Sequence, residues 1–132
     1  MHKIKYIVIH CSDSPDERES VNAEEIHAWH CERGFDGIGY HFVILKNGTV
    51  EAGRPIYWQG AHAVKVNKCS LGICLVGRSQ FTHDQFCNLR NLITQLKHIY
   101  PEAMIKSHYQ FDEGKSCPNF DAEQWWEEAK DD

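Results

Sequence analysis

The chain has 132 residues, of which 42% are hydrophobic, 11% aromatic and 25% charged, the size and make-up of one ordinary domain with one core. Nineteen Asp and Glu against fourteen Lys and Arg leave a formal net charge of −5 with histidine neutral, which argues against direct nucleic acid binding through the phosphate backbone. No apolar run approaches the roughly 20 residues of a membrane-spanning helix, and the N-terminus lacks a leader-like apolar stretch, so cytoplasmic synthesis is expected.

Ile4 to His10 reads as a strand with apolar residues on both faces, suited to the middle of a covered sheet. A polar loop follows from Cys11 to Ser20. Asn22 with Glu25 three residues later is a capping-box pattern for a helix running to about Arg33, with Ile26 and Trp29 inward and Gly34 closing it. Tyr40 to Lys46 and Thr49 to Ala52 flank Asn47-Gly48, predicting a hairpin closed by a two-residue turn. Residues 53–70 form a long loop carrying Trp58, His62 and Asn67, the kind of connection that often serves function.

Leu71 to Val76 reads as a second buried strand. Thr82 with Gln85 opens the longest helix, whose core face is Phe86, Leu89, Ile93, Leu96 and Tyr100, and Pro101 stops it. Met104 to Ser107 is a short strand, Tyr109 to Asn119 a loop, and Asp121 with Gln124 caps a last helix containing Trp125 and Trp126. Strands and helices alternating in this order predict an α/β domain over residues 1–132, with a central mixed sheet flanked by about three α-helices.

Nine histidines and six cysteines hold most of the chemical potential. The cysteines are irregularly spaced with no C-x-x-C pair, so reduced thiols are expected. His10 and His108 fall at the carboxyl ends of predicted strands, where open α/β sheets host ligands. There is no H-E-x-x-H or zinc-finger spacing, so any metal site must be assembled from distant segments. His41 is expected on the strand face opposite Tyr40, and Cys11 on the face opposite His10, as core packing. His27, His30, His83 and His98 lie on predicted helices as structural or surface residues.

Six segments then carry a resemblance: Ile7-Val8-Ile9-His10-Cys11-Ser12, Gly39-Tyr40-His41-Phe42-Val43-Ile44, Gly60-Ala61-His62-Ala63, Ser70 to Gly77, Ser107-His108 and Lys115 to Asp121. Together, in this order, they resemble the type-2 N-acetylmuramoyl-L-alanine amidases, which include short phage endolysins and the peptidoglycan recognition proteins. The resemblance implies that fold, and one zinc ion held by His10, His108 and Cys117, with Tyr40 and Lys115 assisting at the reacting carbonyl. Two neutral imidazoles and one thiolate are good zinc ligands, and three protein ligands are typical of catalytic sites.

The implied reaction is hydrolysis of the amide between N-acetylmuramic acid and L-alanine of peptidoglycan, by a monomeric phage or prophage endolysin acting on the wall after release. Which of Tyr40 and Lys115 moves the proton stays open. Trp58, His62 and Asn67 are expected to contact substrate. Three rivals accompany this reading: a muropeptide-binding protein that does not cut, an endolysin that also binds and inhibits a phage RNA polymerase, and a structural-zinc protein, which the lack of a fourth protein ligand disfavours.

Overall fold

A computed structural model describes residues 3–131. Its centre is β1 (Tyr6–Cys11), the apolar run expected from the sequence. β1 pairs in parallel with β4 (Ser70–Leu75) on one side and with β5 (Met104–Ser107) on the other. The short strands β2 (Phe42–Ile44) and β3 (Val50–Ala52) complete a mixed sheet of order β3-β2-β4-β1-β5, with only the β2–β3 pair antiparallel. Three helices flank it: α1 (Ala23–Glu32), α2 (His83–Ile99) and α3 (Ala122–Ala129).

Because side chains alternate along a strand, each central strand feeds two cores. Ile7, Ile9, Leu71, Ile73 and Leu75 point to one face, where Leu89, Ile93 and Leu96 of α2 and Trp126 of α3 cover them. Val43, Cys74 and Val76 join Val21, Ile26 and Ile38 beneath α1 on the other. Side chains on both faces are removed from water, which explains why β1 and β4 read as unbroken apolar runs.

The three helix starts follow the predicted caps. Asn22, Thr82 and Asp121 each accept a hydrogen bond from the main-chain N–H three residues on, and Thr82 with Gln85 forms the full reciprocal box. The buried face of α2 is Gln85, Leu89, Leu92, Ile93 and Leu96, so Gln85 and Leu92 join the expected apolar face while Phe86 and Tyr100 are only half-buried. Gln85 is fully buried, and its amide donates to the carbonyls of Ile44 at 3.1 Å and Val76 at 2.9 Å while its oxygen accepts from Thr82 N–H at 2.9 Å. One polar side chain thus ties α2 to the ends of β2 and β4.

The hairpin turn also differs from expectation. Gly48 N–H donates to Leu45 C=O at 2.8 Å and Leu45 N–H to Thr49 C=O at 2.9 Å, and only Gly48, not Asn47, has positive φ, at 90°. This is a three-residue loop ending in a left-handed glycine, not the two-residue turn, which needs positive φ at both central residues. Lys46, within the turn, is drawn inward to Asp16 at 2.9 Å and Gln80 C=O at 2.8 Å.

Replacing Gln85 with Leu would remove the donor to two buried carbonyls and the acceptor for Thr82 at once. Gln85→Leu is expected to cost about 2–4 kcal/mol, read from urea unfolding; a change below about 0.5 kcal/mol would show that packing alone holds α2.

Candidate active site

The pairing Ile9↔Ser107 makes His10 the last-but-one residue of β1 and His108 the first beyond β5, side by side at the carboxyl edge of the sheet. Their rings lie 4.3 Å apart between centroids. Cys117 reaches them from the loop after the sheet. Tyr109 N–H donates to Cys117 C=O at 3.0 Å, closing that loop, and Cys11 N–H donates to Cys117 Sγ at 2.9 Å, aiming the sulfur. One ligand atom from each of His10, His108 and Cys117 lies within 4.8 Å of the others. Among the described residues this is the one His/Cys/carboxylate group gathered closely enough to hold a metal ion.

Above these three residues opens a cleft of about 540 Å³ whose lining includes Tyr40, His62, His108, Lys115 and Cys117. The Tyr40 ring stands 5.0 Å from His10 and 5.3 Å from His30. Lys115 is exposed on the cleft rim, with its main-chain N–H turned back to Asp112 C=O. The donor chemistry fits a zinc ion: two imidazoles and one thiol, in a partly buried mouth that leaves room for a further ligand.

A family profile described as N-acetylmuramoyl-L-alanine amidase matches residues 1–120. The chain belongs to this amidase family. It is 40% identical over 129 residues to the endolysin of Escherichia phage T7, covering 92% of this chain and 84% of that one. Among solved structures it superposes on the N-acetylmuramoyl-L-alanine amidase LysC from Clostridium intestinale URNW with a TM-score of 0.86 at 30% identity, over 97% of this chain and 85% of that one. It also superposes on a variant of Drosophila PGRP-LB in complex with tracheal cytotoxin, with a TM-score of 0.84 at 26% identity, over 98% of this chain and 83% of that one.

Within this amidase fold the loop residues occupy places that their sequence does not reveal. Asn67 turns its side-chain oxygen to the N–H groups of His62 and Ala63, at 2.9 and 2.8 Å, and so staples the loop. His62 is 9% exposed, and its two ring nitrogens face His10 and Ser70. Trp58 is 58% exposed and borders a separate small depression, not the main cleft. His41 is buried, accepting from Gly72 N–H and facing Trp58 C=O.

Two residues set aside on sequence grounds lie at the cleft. Cys11 was expected to point away as core packing; it is buried, yet it lines the cleft and its thiol meets that of Cys117. The reason is that β1 ends at Cys11, so Cys117 approaches over the strand terminus and not over one face. His30, on the buried face of α1, accepts from Gly39 N–H at Nδ1 at 2.9 Å and also lines the cleft. No one-dimensional pattern marks either position. None of the six cysteines is paired in a disulfide in this structure.

Burial controls the protonation of the site. It lowers His10 well below the ordinary imidazole value, helped by His62 and His108. It brings His62 down to about 3 and His30 to about 4, and lowers His41 and His108 as well. Tyr40 is pushed well above the usual phenol range by burial, so its hydroxyl stays protonated. The hydrogen bond with Cys11, reinforced by burial, holds Cys117 as a neutral thiol in the metal-free protein.

The sign of the histidine effect follows from linkage. An unfolded imidazole takes up a proton near pH 6.5, while folded His30 and His62 stay neutral down to about 4 and about 3. In that window the unfolded state binds more protons, so stability falls as pH falls. Each such group can cost up to about 1.4 kcal/mol per pH unit. The melting temperature of the metal-free protein is therefore expected to drop by at least about 5 °C between about pH 6.5 and about pH 5; a flat profile by scanning calorimetry would mean the buried rings are already charged.

Proposed function

We propose that this amidase is a zinc-dependent endolysin that hydrolyses the amide joining N-acetylmuramic acid to L-alanine in peptidoglycan. The observation that carries the reading is the convergence of His10, His108 and Cys117 within 4.8 Å at a cleft lined by Tyr40 and Lys115. The names of its relatives support it: the T7 relative is an endolysin, and the LysC neighbour is an N-acetylmuramoyl-L-alanine amidase.

His10, His108 and Cys117 would hold the ion. A zinc ion there supplies Lewis acidity and lowers the pKa of water toward neutrality. The protein's own groups do the rest. Tyr40 keeps its proton at working pH and offers an O–H donor toward the carbonyl oxygen as negative charge builds on it. Lys115 on the rim adds a cation to the same oxyanion or passes a proton to the departing amine. The open cleft admits a glycan strand with its stem peptide; no helix among the described residues is long and apolar enough to cross a membrane.

Digestion of purified peptidoglycan by zinc-loaded and chelator-stripped protein, followed by mass spectrometry, tests the reaction. Release of intact stem peptides with a free L-alanine amino terminus, lost on chelation and restored by zinc, is expected. No release on several peptidoglycan types by zinc-loaded protein would favour a muropeptide binder, and capture of phage RNA polymerase by purified protein would identify the second partner.

Two substitutions divide the site into metal-holding and chemical parts. Cys117→Ala is expected to abolish both stoichiometric zinc and turnover. Lys115→Ala is expected to keep its zinc and lose roughly 100-fold or more in turnover. Full activity in the Cys117 variant would show that another side chain completes the site.

A further inference from the structure

The two ring nitrogens of His10 have different surroundings. Nε2 lies 2.8 Å from Nδ1 of His62. Beyond His62 the contacts continue: its Nε2 lies 3.3 Å from Ser70 Oγ, and Ser70 Oγ lies 2.7 Å from the main-chain carbonyl of Val66. Distances alone do not say which way the protons point, but the end of the chain does. A carbonyl only accepts, and a serine has one hydroxyl proton. That proton goes to Val66, at the shorter distance, so Ser70 accepts from His62 Nε2–H.

In a neutral imidazole a proton on Nε2 leaves only a lone pair at Nδ1, so His62 can only accept at that atom. His10 must then donate from Nε2. Its own lone pair is left on Nδ1, the nitrogen not engaged by His62.

The packing reserves space for this arrangement. A Cβ at Gly72, inside β4, would stand 2.6 Å from His62 Cγ, and a Cβ at Gly60 would stand 2.5 Å from His62 Cδ2. Glycine inside a strand weakens it and marks close approach by another group; here that group is the His62 ring. The Asn67 side-chain oxygen holds the main chain at this point by accepting from the N–H groups of His62 and Ala63. The His62 ring stands edge-on to His10 at 87°, with centroids 4.9 Å apart.

We propose that Val66, Ser70 and His62 form a directional hydrogen-bond relay that fixes the tautomer of His10 and leaves Nδ1 as its metal-binding atom. His62 and Ser70 are thus positioning residues that act through His10. The inference rests on the metal reading above. Hydrogen-bonded partners of this kind orient a ligating histidine and raise its basicity, and losing one typically costs 10–100-fold in metal affinity.

The test combines a tautomer measurement with a zinc measurement. Long-range nitrogen–proton NMR on histidine-labelled, metal-free protein slightly above neutral pH is expected to show Nε2–H with unprotonated Nδ1 for both His62 and His10. Competition with a chromophoric chelator is expected to show roughly 10-fold or greater loss of zinc affinity in His62→Leu and Ser70→Ala. Recovery of most of that affinity is expected in His62→Asn, whose side-chain oxygen can take the place of Nδ1 as acceptor.

An Nδ1-protonated His62 in the wild-type protein would overturn the relay, as would Ser70→Ala with unchanged zinc affinity and unchanged tautomers. If Ser70→Ala fails to fold, the wild-type tautomer spectrum and the Leu/Asn pair at position 62 still decide. A wild-type protein with the stated tautomers that takes up no zinc would overturn the metal reading and leave the proton order intact.

Discussion

The parallel ladder between β1 and β5 is the constraint on which the site depends. It pairs Ile7 with Ile105 and Ile9 with Ser107, and the residues that follow Ile9 and Ser107 in the chain are His10 and His108. A slip of one residue would send every side chain of β5 to the opposite face and carry His108 away from His10. What prevents the slip is apolar: Ile7, Ile9 and Ile105 must all lie under α2 and α3, and each buried side chain contributes about 1.5–3 kcal/mol. Ser107 adds a polar lock, accepting from Ala122 N–H at the start of α3 and donating to Phe120 C=O. The geometry of the ligand pair is therefore a by-product of core packing.

Once that edge is set, the loops complete the site through main-chain bonds. Cys117 is aimed by an N–H of β1 itself, so the third ligand is registered to the same strand as the first. On the neighbouring side, Asp16 accepts from Lys46 and from the N–H groups of Arg78 and Ser79. Lys46 and Asp16 form a nearly buried pair, and removing one partner of such a pair typically costs about 3–5 kcal/mol. This clamp joins the segments after β1, in the hairpin and after β4, so the first loop cannot move independently of the sheet.

The protonation states follow from the same burial. Neutral imidazoles, a neutral thiol and a protonated phenol cluster at one strand end, an arrangement that suits donor atoms for a cation better than it suits a chain of acids and bases. The charged groups that line the cleft, Lys115 and Arg33 with Asp13 and Asp112, are exposed or half-exposed, where solvent supports them. A division between a neutral floor and a charged rim separates the holding of an ion from the handling of charge on substrate.

Much of this was legible in the sequence. The α/β class, the three capped helices and the apolar strands follow from periodicity and cap chemistry, which are local properties. His10, His108, Cys117, Tyr40 and Lys115 could be singled out because their flanking segments resemble one family in order. The tertiary structure decided what local pattern cannot carry: that Gln85 is a buried tie, that Gly48 alone takes the left-handed position, and that Cys11 meets Cys117. It also decided that His62 faces His10 while Trp58 stands away from the cleft. These depend on which distant segments share space, and a hydrogen bond spanning 52 residues, such as that between His10 and His62, leaves no trace in the spacing of either one.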